Sequence, residues 1–175
     1  MLPCWGRQMN LDLYPIGWLH SAFSIVALVA GAAVLVRPKG TPVHRLRGQI
    51  YALALIATCL TSFAIYRVGK FWLPHWFGAA GLIAVGAGVA FAHYKLPRRG
   101  WMHLHLTCMI ASYYIVIGGA VNEVFLRVHV LRRMATQFAN PPLLSVTHLV
   151  VMTVFVLLIA YFNAALLLRR PRMAQ

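Results

Sequence analysis

The chain has 175 residues, of which 61% are hydrophobic and only 10% are charged. A soluble domain averages about 45–50% apolar and about 25% charged residues, so this composition excludes a water-soluble globular protein. The formal net charge of +14 would suggest nucleic acid as a partner in a soluble protein. Here the basic residues lie between apolar stretches, so we interpret them as contacts to lipid headgroups and exclude nucleic acid.

Five apolar stretches are long enough to cross a bilayer, which takes about 20 helical residues. In chain order they are residues 16–36, 48–66, 72–94, 102–122 and 143–168. Prolines stand at or near the starts of three of them, where proline loses no helical hydrogen bond. The sequence therefore predicts one all-α domain over residues 1–175, a membrane bundle of five transmembrane helices. It leaves open whether residues 124–138 extend the fourth span or lie flat on the membrane surface.

The basic residues are divided unevenly between the two sides of this arrangement. One side holds ten of them: Arg37, Lys39, Arg45, Arg47, Lys95, Arg98, Arg99, Arg169, Arg170 and Arg172. The other side holds six: Arg7, Arg67, Lys70, Arg127, Arg132 and Arg133. Because cytoplasmic loops carry the excess of Lys and Arg, we expect the N-terminus outside and the C-terminus inside. The expected location is the bacterial inner (plasma) membrane, in a multi-pass arrangement.

Three histidines lie at one depth on the predicted outer side. His20, His75 and His148 each stand about five residues inside their spans, which is roughly 7 Å along a helix. Glu123, at the outer end of the fourth span, can reach the same layer. Three imidazoles and a carboxylate suit Zn, Cu or non-haem Fe, so these four residues are the predicted metal site. The competing interpretation is an ion pair between Glu123 and Arg127, four residues later on the helix.

A second histidine layer lies toward the predicted inner side and contains His44, His93, His103 and His105. His105 starts a helical stripe that passes through Met109 and ends at Glu123, five turns later. His103 points about 200° away from His105, so we expect it to face headgroups. Neutral imidazole is a usual axial ligand of haem iron, and methionine is another. His44, His105 and Met109 are therefore the predicted cofactor-binding residues, for haem b.

The third span is rich in small residues, namely Gly78, Ala79, Ala80, Gly81, Gly86 and Gly88. Small residues let membrane helices approach closely, so the simplest interpretation is tight helix packing. A flat cofactor pressed against this face is the alternative. We expect the third and fourth spans to pack through the faces that carry His75 and His105, since imidazoles are costly in lipid.

Several short motifs resemble a known family in their order and spacing. They are "HRLRGQIY" at residues 44–51, "FWLPHWFG" at 71–78 and "HLTCMIASYY" at 105–114, with His20 before them and Glu123 after them. Over roughly residues 15–125 they resemble a bacterial group of predicted multi-span membrane proteins, domain of unknown function 2306. The resemblance implies a multi-span fold but no activity. The two histidine layers also resemble, in layout only, cytochrome b561-like and ferric-reductase-like proteins.

Three classes of function remain open at this point. The first is a histidine-lined redox or metal site, with haem b or a transition metal as cofactor and membrane electron transfer as the activity. A quinone would then be a candidate partner. The second is a non-catalytic accessory or assembly subunit, with membrane-protein partners or a homo-oligomer. The third is a small transporter. A hydrolase is poorly supported, because no acidic residue lies deep in a span to serve as a base.

The topology can be tested with reporter fusions at residue 41 and at the C-terminus. The basic asymmetry predicts that both reporters lie in the cytoplasm, because an even number of spans separates them. Fusions that report opposite sides would contradict the arrangement of five spans.

Overall fold

The computed structural model describes residues 15–65, 73–129, 131 and 143–168. It contains the helices α1 (Pro15–Val36), α2 (Pro42–Ser62), α3 (Leu73–Tyr94), α4 (Trp101–Arg127) and α5 (Leu143–Leu168). No β-strand occurs among these residues, so the all-α prediction is confirmed. α4 runs past the predicted end of its span to Arg127, where Val128 turns to an extended backbone. Most of residues 130–142 lies outside the described residues.

Four of the five helices are long and apolar enough to cross a membrane: α1, α3, α4 and α5. α2 is less apolar, because it begins at Pro42 and carries His44, Arg45 and Arg47 in its first two turns. The Thr41 hydroxyl caps this start by accepting the His44 backbone N–H at 3.1 Å. α2 also contributes five buried side chains: Tyr51, Ala52, Ala54, Leu55 and Cys59. Neighbouring helices cover these side chains, so α2 needs less apolar surface toward lipid.

The helices run alternately up and down. α1 packs along α2, α2 along α3 and α3 along α4, and α4 meets α1, which closes a four-helix bundle. The contacts between α1 and α2 show their antiparallel course: His20 bonds to Thr58 and Thr61, while Gly31 lies against Tyr51. The stretch of α2 from Tyr51 to Thr61 therefore lies beside residues 20–31 of α1. α5 packs along the outside of α4.

Glycines on α3 allow close approach on two sides. A Cβ at Gly81 would lie 2.9 Å from the Cys59 sulfur on α2, and a Cβ at Gly88 would lie 2.7 Å from the Met109 sulfur on α4. Neither neighbour leaves space for a side chain at these positions. At these two positions the packing interpretation of the small residues is confirmed, since side chains of the adjacent helices occupy this face.

Two tyrosines connect the middle of the bundle. Tyr51 on α2 donates its hydroxyl hydrogen to Ser112 Oγ on α4 at 2.7 Å, and Ser112 donates to the Met109 carbonyl at 2.8 Å. Tyr113 donates to the Leu28 carbonyl on α1 at 2.9 Å. The hydrocarbon core offers no water to these hydroxyls, so each one must find a partner within the protein.

α5 is attached to α4 by two reciprocal hydrogen bonds between histidine and asparagine. At one end His103 of α4 donates from Nδ1 to Asn163 Oδ1 of α5 at 2.7 Å. At the other end His148 of α5 donates from Nε2 to Asn122 Oδ1 of α4 at 3.0 Å. Between them Phe155 of α5 is buried against the α4 tyrosines. The expectation that His103 faces headgroups is therefore wrong, because its ring is directed into the α4–α5 interface.

Replacing Asn122 or Asn163 with Leu should weaken the attachment of α5. Hydrogen bonds between membrane helices average about 0.6 kcal/mol and reach about 1.7 kcal/mol, so each variant should lose stability in that range. The measurement is the unfolding free energy in detergent. Thr153→Val is the control, because the exposed Thr153 hydroxyl bonds only to its own helix at Leu149. If both Leu variants matched this control, the two His–Asn pairs would not hold α5.

Candidate functional site

The four residues predicted as an outer metal site do not form one group. His20 donates from Nδ1 to the Thr58 carbonyl and the Thr61 hydroxyl, each at 3.0 Å, so it faces α2. His148 faces α4, where it meets Asn122. Glu123 accepts from Arg127 Nε at 2.8 Å, which is the ion pair that competed with metal binding.

His75 is the most buried of the eight histidines that the structure describes, with 3% of its surface exposed. Its ring stacks on Phe63, just beyond the end of α2, with centroids 6.5 Å apart. His75 and the face of α3 that carries it point into the bundle, as the sequence predicts. Among the described residues, no three His, Cys, Asp or Glu side chains are arranged to hold a metal ion. The outer site of His20, His75, His148 and Glu123 therefore stays a prediction, with His20 directed to α2 and His148 to α4.

His105 and Met109, two of the predicted haem-binding residues, contact the same glycine of α3. His105 donates from Nδ1 to the Gly88 carbonyl at 2.7 Å. A carbonyl oxygen can only accept, so the proton is on Nδ1 and the lone pair is on Nε2, the atom that would bind a metal. Met109, one turn later on α4, packs its sulfur against the same glycine. The third and fourth spans therefore pack through the face that carries His105, as predicted.

His44 lies at the same end of the bundle, in the first turn of α2 and ahead of its apolar stretch. Its Nδ1 is buried and makes no hydrogen bond to any described residue. Burial lowers the pKa of the His44 imidazole below its ordinary value, and the positive charge of Lys39 lowers it further. The neutral ring is therefore favoured, which is the form that ligates metals. An imidazole nitrogen that is buried without a partner is costly unless a ligand meets it.

Lys39 is held next to this site by the end of α1. Its ammonium donates to the Val34 carbonyl at 2.8 Å, to the Arg37 carbonyl at 3.1 Å and to the Leu35 carbonyl. It also lies 5.4 Å from the centre of the Phe162 ring on α5. These bonds satisfy helix-terminal carbonyls and place a positive charge where the helix dipole favours it. The partial burial lowers the pKa of Lys39.

We call this end of the molecule the basic end, because seven cationic side chains of the described residues lie there: Arg37, Lys39, Arg45, Arg47, Lys95, Arg98 and Arg99. Glu123 is the only acid among the described residues, and it lies at the opposite end of α4. Asp12 lies outside the described residues. The surroundings of His44 and His105 are therefore strongly positive, which favours anionic groups.

Two further histidines lie outside these groups, and two asparagines bind histidines of the neighbouring helix. His93 is exposed, with its ring edge-on to Tyr94 at 4.8 Å, and His129 is exposed beyond α4. Sequence reasoning missed Asn122 and Asn163, which hold His148 and His103. Both are uncharged, yet an amide inside an apolar span needs a partner as a histidine does, and this signal could have revealed them.

Comparison with known proteins adds a family but no activity. The chain matches the family described as predicted membrane protein, domain of unknown function 2306, over residues 17–161. Neither the curated proteins nor the solved structures gave a match. The layout resemblance to cytochrome b561-like proteins finds no support in these comparisons. The four long apolar helices make this protein a multi-pass membrane protein in contact with lipid. Because the match covers most of the chain, the protein belongs to the family of domain of unknown function 2306.

Proposed function

We propose that the protein is a membrane haem protein that transfers electrons, with a b-type haem bound at the basic end by His44 and His105. The observation that carries the proposal is the pair of imidazoles at this end. His105 has its Nδ1–H engaged by Gly88, which leaves Nε2 for a metal. His44 has a buried Nδ1 with no hydrogen bond to any described residue. Neutral imidazole is a ligand of haem iron, so these two rings from different helices would hold the group.

Charge favours haem over a bare metal ion at this place. Among the described residues the basic end contains no carboxylate, so a Zn²⁺ or Cu²⁺ ion would meet only cations and neutral ligands. Haem b carries two propionate carboxylates, and Arg and Lys side chains pair well with carboxylates. Arg45 and Arg47, one and three residues after His44, are the natural candidates for this pairing. A mononuclear Zn, Cu or Fe site is thus the weaker form of the proposal.

Met109 would serve as a neighbour or an alternative ligand. Its sulfur lies one turn from His105 on the face that packs against Gly88. Methionine ligation raises the potential of a haem, so Met109 would raise it if its thioether took the place of the His105 imidazole one turn away. The outer residues His20, His75, His148 and Glu123 would then serve helix packing.

The bound haem would supply one-electron chemistry, and the protein would hold it at one membrane face. Its electron partner would be a quinone or another membrane protein, and its location would be the bacterial inner membrane. If the purified protein carries no cofactor, the accessory-subunit function becomes the preferred one, with partners in a larger complex or a homo-oligomer.

The test is the visible spectrum of the purified protein, oxidised and reduced, with iron and haem quantified per chain. His44→Ala and His105→Ala should each lose most of the bound haem, because each removes one axial ligand. His103→Ala is the matched control: it removes an imidazole two residues from His105, but that imidazole is bound to Asn163. The control should keep its haem and lose only stability.

Two outcomes would contradict the proposal. The first is full haem content in both His44→Ala and His105→Ala. The second is an equal loss of haem in His103→Ala and His105→Ala at equal folded yield, since that would reflect damage to α4 and not loss of a ligand.

A further inference from the structure

An apolar groove runs along the half of α4 that is farther from the basic end. It has a volume of about 300 Å³, and it lies between α1 and α4. Its walls are six apolar side chains: Leu28, Ile117, Ala120, Val121, Val124 and Phe125. α1 and α4 are tied together where Tyr113 bonds to the Leu28 carbonyl. The groove extends from this tie toward the C-terminal end of α4.

Arg127 stands at the outer end of this groove. It follows Val124 by three residues and Ala120 by seven, so it lies one and two helical turns beyond them on nearly the same side of α4. Its ion pair with Glu123 uses only Nε. The two Nη atoms make no hydrogen bond to the described residues, and the side chain is exposed. A guanidinium with two nitrogens available can bind a phosphate group.

The length of this surface matches one leaflet of a bilayer. From Ile117 to Arg127 the helix rises about 15 Å, which is half of the ~30 Å hydrocarbon thickness. The apolar part would therefore lie at the depth of acyl chains, and Arg127 would lie at the depth of lipid phosphates. A water-soluble ligand would find no polar contact along the groove walls.

We propose that this groove binds one anionic phospholipid, with an acyl chain between α1 and α4 and the phosphate on Arg127. The commitment to an anionic lipid follows from the Arg127 guanidinium, whose Nη atoms the ion pair with Glu123 does not use, and from the apolar walls of the groove. The lipid site lies at the end of α4 opposite His105, so its test is independent of the test of the proposed haem site.

The experiment is native mass spectrometry of the full-length protein in detergent, titrated with phosphatidylglycerol or with phosphatidylcholine of the same acyl chains. The wild type should bind phosphatidylglycerol more tightly. Ala120→Trp fills the groove and should weaken the binding of both lipids by about tenfold. Val156→Trp is the control, because Val156 is an exposed position on α5 and lies outside the groove. If Ala120→Trp fails to fold, Val124→Phe at the exposed rim replaces it.

The headgroup contact has its own variants. Arg127→Gln should abolish the preference for phosphatidylglycerol, because it removes the charge that meets the phosphate. Glu123→Gln breaks the same ion pair but keeps the guanidinium, so it should retain the preference. Equal binding of the two lipids by the wild type would overturn the proposal. So would unchanged binding in the groove variants, or an equal loss of preference in Glu123→Gln and Arg127→Gln.

Discussion

The structure depends on one constraint: a polar group inside the hydrocarbon region must find its partner within the protein. The described helix interfaces illustrate it. His20 on α1 bonds to α2, His105 on α4 bonds to the α3 backbone, and His148 on α5 bonds to α4. Tyr51 and Tyr113 tie α2 and α1 to α4 at the centre. Hydrophobic burial gives little specificity between helices in lipid, so these directed bonds fix which faces meet.

The same constraint separates structural histidines from a functional candidate. A ring N–H that reaches a carbonyl or amide oxygen on a neighbouring helix is explained by packing, as for His103 with Asn163. His44 differs, because its Nδ1 is buried and bonds to no described residue. His105 fits both roles, since its bond to Gly88 engages one nitrogen and orients the other. The candidate site therefore rests on the buried Nδ1 of His44 together with the oriented ring of His105.

Sequence reasoning predicted the helices well, because span lengths follow from hydrophobicity and bilayer thickness. Its largest error in a helix boundary is the start of α2, at Pro42 and not at residue 48, since Arg45 and Arg47 lower the hydropathy of a turn that Thr41 caps. The position of a residue along a helix axis also follows from the sequence, because each residue adds a fixed rise. The neighbour that a side chain faces does not. His20 and His148 bond to different helices, whereas His105 and Met109 both contact Gly88.

The most direct measurement of the central claim is the electron paramagnetic resonance spectrum of the oxidised protein, recorded for the wild type and for His105→Met. If His44 and His105 ligate a haem, the wild type should show low-spin ferric haem with two imidazole ligands. His105→Met should then convert this signal to one from histidine–methionine ligation, because the thioether replaces one imidazole at the iron. A wild type without a ferric haem signal, or a bis-imidazole signal that is unchanged in His105→Met, would contradict the account.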